Sequence, residues 1–283
     1  MRRFVLSMLG AGAILLALVI GPAGAVTDGE VDGDNHPYVG LMIAKDAAGN
    51  PMWRCSGTLL SSRLFLTAGH CTSGAASVEI WFDSGSPTPI PLGAGYPAAG
   101  PNRCAGITGY PCTGDTGGTP HTHPDYNDAF FYLYDVGVVV LDEGRAYSSS
   151  TYGRLPALDQ LDALKPSRHT TFTAVGYGLQ KSFPDAASWK TSAQRTRMVA
   201  KPHLLQINKG IVGDFSLLLS NNAHTGGTCF GDSGGPNFLG DSNVVAGVTS
   251  FGLNSTCAGT GGVYRIDRAD DIAFLSGFSQ YMG

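Results

Sequence analysis

Residues 231–236 read Gly231-Asp232-Ser233-Gly234-Gly235-Pro236, the pattern of a nucleophile carried on a tight turn. Flanking glycines let the backbone approach a substrate carbonyl closely and take φ values that other residues avoid. The N–H groups of Gly231 and Ser233 can point into one small volume, as stabilising a developing oxyanion requires. A serine hydroxyl is weak at neutral pH, so the turn does chemistry only with a base and a group to orient that base. Thr67-Ala68-Gly69-His70-Cys71 supplies an imidazole, and Asp135 opens the apolar run that ends at Leu141. Asp125 and Asp128 lie close by in polar sequence and are expected in solvent. Asp135, at the mouth of an apolar strand, is the carboxylate expected behind the ring.

These three motifs, in the order His, Asp, Ser, resemble those of the trypsin/chymotrypsin family of secreted serine endopeptidases. The resemblance covers most of the chain after its N-terminal segment. It implies Ser233 as nucleophile, His70 as general base and then acid, and Asp135 as the group that fixes the imidazole tautomer. It also implies a primary specificity pocket with Gly227 at its base and Gly252 and Gly262 as walls. With no carboxylate at the base, the expected preference is for large apolar or aromatic residues before the cleaved bond rather than for Arg or Lys. Ser250-Phe251-Gly252 would be the strand edge on which substrate backbone pairs. In the family, the Asp before the nucleophile pairs with a newly freed apolar N-terminus. Here Val26 is the expected partner of Asp232, although Thr27-Asp28 departs from the usual pattern.

Two alternatives stay open at this stage. A catalytically inactive homologue serving as a binding module would have been favoured by loss of a triad residue, and none is lost. An esterase of the α/β-hydrolase kind would show G-x-S-x-G with its His last, whereas here the His comes first.

The N-terminus reads as a targeting segment. Arg2-Arg3 precede an apolar run from Phe4 to Ile20, and Ala23-Gly24-Ala25 offers a small-x-small cleavage site. Residues 1–25 are therefore expected to be a signal peptide, with export leaving Val26 at the start of a secreted, extracellular protease domain, 26–283. The formal net charge of −4 gives no basic footprint for nucleic acid. No later stretch is apolar enough to cross a membrane, so none is expected after cleavage. The expected partners are protein or peptide substrates and proteinaceous inhibitors, the expected state is a monomer, and no cofactor is implied.

Six cysteines in an exported chain suggest three disulfides. Sequence alone leaves the pairing open. The resemblance selects Cys55–Cys71 and Cys229–Cys257, leaving Cys104 with Cys112. No metal site is expected, because C-x-x-C pairs are absent and His121 and His123 form a two-histidine loop with no clear third ligand. Asn254-Ser255-Thr256 is a glycosylation sequon.

The elements that must position these groups read as many short strands. Candidates are Tyr38–Ala44, Trp53–Leu60, Leu64–Thr67, Ser77–Phe82, Phe130–Leu141, Thr170–Tyr177, Met198–Ile207, Ser216–Ser220, Val244–Phe251 and Gly262–Ile266. Asp267 is the expected N-cap of a terminal helix over 268–278. Residues 84–128, rich in Gly, Pro, Thr and Asp, read as a long surface insertion bordering the cleft, with 142–168 as the crossover between halves. Strand-rich patterning without βαβ alternation predicts an all-β antiparallel fold. The resemblance sharpens this to two six-stranded Greek-key barrels, about 26–145 and 146–266, with a C-terminal helix.

Overall fold

The computed structural model describes residues 26–82, 114–180 and 195–282. The first barrel is built from β2 (Val39–Lys45), β3 (Pro51–Leu59), β4 (Leu64–Thr67), β5 (Ser77–Phe82), β6 (Thr116–Thr122) and β7 (Gly137–Leu141). All neighbours are antiparallel, and the ring closes in the order β2-β3-β4-β7-β6-β5. The second comprises β8 (Ser167–Gly176), β10 (His203–Ile207), β11 (Ser216–Asn221), β12 (Pro236–Leu239), β13 (Val245–Gly252) and β14 (Gly259–Arg265). These also close, because β12 pairs back onto β8. Two short strands extend that sheet: β9 (Met198–Ala200) lies on β8, and β1 (Glu30–Val31) on β9. The result is the all-β, two-barrel architecture expected from the sequence.

The two barrels share one continuous core. Leu41, Leu59, Phe65, Leu66, Val138 and Leu141 of the first cluster with Val175, Tyr177, Phe238, Val245, Val248 and Tyr264 of the second. Each fully buried Val, Leu or Phe contributes about 1.5–3 kcal/mol, so this seam fixes the relative placement of the catalytic elements on its edge. The terminal helix α2 (Ala269–Ser276) returns to the first barrel, where Phe274 and Phe278 meet His123 and His121.

Several elements differ from their sequence-based reading, each for a physical reason. β6 was expected to be loop, since TGGTPHT has no apolar period. It is a barrel strand whose glycines permit close crossing: a Cβ at Gly118 would lie 2.1 Å from the Val140 carbonyl oxygen. The apolar run from Phe130 is strand only from Gly137. Phe130, Phe131 and Tyr132 instead form an exposed rim. The run 198–207 is two strands, interrupted at Lys201-Pro202, where the proline has no N–H to donate. Asp267 does not cap the terminal helix, because its carboxylate is taken by Arg265 and by the Leu161 N–H. The N-terminal segment, expected beside the first barrel, adds its strand to the second. The 1–25 segment, residues 84–113 of the insertion and the Cys104–Cys112 pair lie outside the described residues.

Candidate active site

His70 stands on α1 (Gly69–Thr72), a single helical turn following β4. The Cys55–Cys71 disulfide ties that turn to β3. The imidazole Nδ1 lies 2.9 and 3.1 Å from the two oxygens of Asp135, and the His70 backbone N–H donates to Oδ1 at 2.8 Å. The Ser250 hydroxyl donates to Oδ2 at 2.5 Å. Asp135 is fully buried, and these donors replace the water that a carboxylate loses on burial. Tyr134 takes φ +53° just before it, turning the chain inward so that Asp135 faces the imidazole rather than continuing a strand.

The ring's electrostatics follow from this cage. Burial opposes protonation of His70, but the Asp135 charge and hydrogen bond, with a further contribution from Asp128, hold its pKa above the usual value. Asp128 is exposed as expected, yet it acts on the imidazole. Tyr126, which packs over Gly69, hydrogen-bonds Asp128, and burial together with the neighbouring carboxylates drives its phenol pKa upward.

Ser233 lies on the 231–236 turn of the second barrel. Gly234 takes φ +76°, and a Cβ there would fall 2.0 Å from Thr67 Oγ1, so only glycine lets the turn seat against the first barrel. Two bonds set the Phe230–Gly231 and Asp232–Ser233 peptide planes, both ahead of the Ser233 side chain in the turn. The Phe230 carbonyl accepts from Leu179 N–H at 2.9 Å, and the Asp232 carbonyl accepts from Gly235 N–H at 2.8 Å. In a trans peptide the N–H opposes the C=O, so these bonds orient the N–H groups of Gly231 and Ser233. From across the interface, Ser56 N–H donates to the Ser233 carbonyl at 2.7 Å, and Ser56 Oγ donates to the Gly231 carbonyl at 2.9 Å.

Asp232 is buried completely. Its oxygens accept from Gly178 N–H at 2.7 Å and Cys229 N–H at 2.9 Å. Burial pushes its pKa up to about 7, against the pull of those two N–H groups and the Arg54 charge. Val26, expected as its partner, makes no hydrogen bond or ion pair with it among the described residues. Val26 packs with Met198 and Ala200, still joined to the residue before it, and Thr27 bridges to Gly227.

A cavity of about 260 Å³ opens beside Ser233. Its walls include Phe131, Phe230, Phe251, Thr228, Thr260 and Cys229 of the Cys229–Cys257 disulfide, and Ser250 and Gly252 border it as expected. Among the described residues, no Asp, Glu, Lys or Arg lines it. Gly227 and Gly262 are not on its surface. The place of a Gly227 side chain is filled by Asn221, whose amide donates to the Thr228 carbonyl at 2.7 Å. The Phe251 ring lies against Gly262, where a Cβ would meet it at 2.4 Å. Thr228 and Thr260 therefore wall the cavity in place of bare glycines. His121 and His123 are engaged in aromatic packing, His123 stacking on Tyr134 at 5.1 Å.

Sequence reasoning did not reach Ser56, Leu179, Asn221, Phe131 or Phe230. Ser56 acts from β3, Asn221 from β11 and Leu179 from the segment after β8, through backbone, hydroxyl or amide contacts, and none carries a local motif. Phe131 and Phe230 were open to notice as large apolar residues next to motif positions.

Comparison with known proteins places this geometry. The trypsin family model matches residues 119–271, more than half of the chain. A chymotrypsin from Phaedon cochleariae is 29% identical over 236 residues, spanning 83% of this chain and 75% of that protein. A phenoloxidase-activating enzyme from Bombyx mori is 28% identical, over 77% of this chain and 52% of that longer protein. Among solved structures, an HL collagenase superposes with a TM-score of 0.62 at 18% identity, covering 90% of this chain and 97% of that one, a likeness of fold. The chain belongs to the trypsin family of serine endopeptidases.

Proposed function

We propose that this protein is an exported endopeptidase in which Ser233, His70 and Asp135 perform acyl transfer. The observation that carries the reading is the pairing of His70 Nδ1 with a buried, fully caged Asp135, while Ser233 borders an open cavity. With Nδ1 engaged as donor, the other ring nitrogen of neutral His70 is an acceptor, suited to take the Ser233 proton as the hydroxyl attacks a peptide carbonyl. The carbonyl oxygen becomes an oxyanion that the N–H groups of Gly231 and Ser233 receive. The imidazolium, stabilised by Asp135, then protonates the departing amine. Water repeats the sequence on the acyl-enzyme and restores Ser233.

The uncharged cavity, walled by three phenylalanine rings and a disulfide, supports preference for large apolar or aromatic side chains before the cleaved bond. One methylene in such a pocket changes selectivity by about 1–3 kcal/mol, so the preference is graded. Export with cleavage after Ala25 would free the Val26 ammonium, which we assign to Asp232 as its missing counter-charge.

Intact-mass analysis of exported protein, before and after a fluorophosphonate probe, tests the reading. A single adduct on Ser233, absent in His70→Ala, on a chain starting at Val26 is expected. A chain starting at Val26 that takes no adduct would overturn the catalytic assignment. A different start in active material would overturn the activation pair, and dominant cleavage after Arg or Lys in a peptide library would overturn the pocket preference.

A further inference from the structure

The turn that carries Ser233 is gripped by one strand of the opposite barrel. Ser56 of β3 holds the carbonyls of Gly231 and Ser233. Arg54 lies two residues earlier on that strand, so its side chain leaves the same face. It reaches the turn at Gly231: a Cβ added there would lie 2.9 Å from Arg54 Nε and 3.0 Å from Nη2. Both nitrogens are shielded from solvent. Gly231, at φ +94°, has no side chain to stand between the guanidinium and the peptide that would present its N–H to an oxyanion. The next residue, Cys55, is bonded to the cysteine beside His70, so one strand links the base to the oxyanion turn.

We propose that Arg54 is a positioning residue for the reaction, its guanidinium pressed on Gly231 to keep that N–H aimed and to hold a fixed positive charge where the tetrahedral intermediate becomes negative. A charge placed in advance at a partly dehydrated site needs no reorganisation as the oxyanion forms. Its influence reaches Asp232 as well, where it works against the effect of burial on that carboxyl. The planar guanidinium suits packing flat on a peptide better than an ammonium does.

This inference rests on the endopeptidase reading, and its test separates the two. Wild type, Arg54→Met and Arg54→Lys are titrated with a fluorophosphonate so that rates refer to working sites. Then kcat and KM are measured on a peptide amide, with the affinity for a peptidyl boronate, which forms a tetrahedral adduct, and for a product peptide. Arg54→Met is expected to lower kcat by roughly 10–100-fold and to weaken the boronate by a similar factor, with KM and product affinity nearly unchanged. Arg54→Lys, which keeps the charge without the planar fork, should recover part of the loss. Should Arg54→Met not accumulate as folded protein, the neutral Arg54→Gln carries the same comparison. A wild-type kcat in the neutral variant overturns the proposal while leaving the endopeptidase standing. So does a loss shared equally by kcat, KM and product binding and not relieved by lysine, which is the mark of loosened packing. A wild-type chain that neither titrates nor cleaves overturns both.

Discussion

Two aspartates, Asp135 and Asp232, are both fully buried, one behind His70 and the other beside Ser233, and the chain treats them oppositely. Asp135 is caged by the His70 backbone and ring and by the Ser250 hydroxyl. Asp232 receives two backbone N–H groups, and burial still lifts its pKa to about 7. His70 and Asp135 of the first barrel thus form a paired imidazole and carboxylate, with Ser250 of the second barrel completing the cage. The second places Ser233 next to a carboxylate that burial makes unfavourable in its charged form. The difference teaches where a further cation would act: the Asp135 side is satisfied within the fold, whereas the Asp232 side keeps a carboxyl that added positive charge would stabilise as the anion.

The comparison can be broken or sharpened experimentally. Ser233→Ala should remove turnover by about 10⁶-fold in kcat, read on a peptide amide with folding checked by circular dichroism. Asp135→Asn should cost about 10⁴-fold, because the amide no longer fixes the imidazole as donor at Nδ1. Asp232→Asn should behave differently in the unprocessed chain. With its pKa raised from 3.8 to about 7, folded Asp232 holds its proton more tightly than the unfolded chain does between those values. The stability that this group contributes is therefore full below about pH 4 and is lost as pH rises to about 7. The substitution should flatten that slope and stabilise the unprocessed chain at pH 8 in urea titrations. Processing at Val26 should flatten it too. An unprocessed chain with no such slope would erase the contrast between the two carboxylates.

Smaller effects sharpen the first half. His70 must lose its proton to act, and its pKa lies above the ordinary value, so the acid limb of kcat/KM should fall at correspondingly higher pH. Asp128→Asn removes one source of that elevation and should move the limb to lower pH, with the plateau rate kept. Ser250→Ala, which withdraws one donor from Asp135, should cost about 0.5–1.5 kcal/mol, a loss of up to roughly tenfold in kcat.

Much of the fold and the principal site residues were legible because each sits in a contiguous motif. His70 and Ser233 carry their own flanking residues, and Asp135 stands at a change from polar to apolar sequence. Apart from Phe131 and Phe230, what escaped had no local signature. β6 is a strand made of Gly, Thr, Pro and His, defined by the neighbours it squeezes between rather than by its own period. The pocket wall was misjudged at Gly262 because glycine in sequence says only that a side chain is missing there. That Phe251 fills the space depends on the register of β13 against β14, which shifts between Thr249 and Phe251. Asn221 under Gly227 and Ser56 on the nucleophile turn meet their partners across 6 and 175 residues of sequence, and neither sits in a recognisable motif.

The first and last described segments are each held by the barrel they do not build. Val31, which precedes the whole first barrel, pairs with Met198 in the second. The terminal turn after α2 reaches back to the first, where the Ser61 hydroxyl donates to the Tyr281 carbonyl. The molecule is therefore laced shut like a boot, each half keeping the other's loose end. Contacts this distant in sequence form late and slow folding. A chain cut between the two barrels should therefore leave each half without one of the segments that close it.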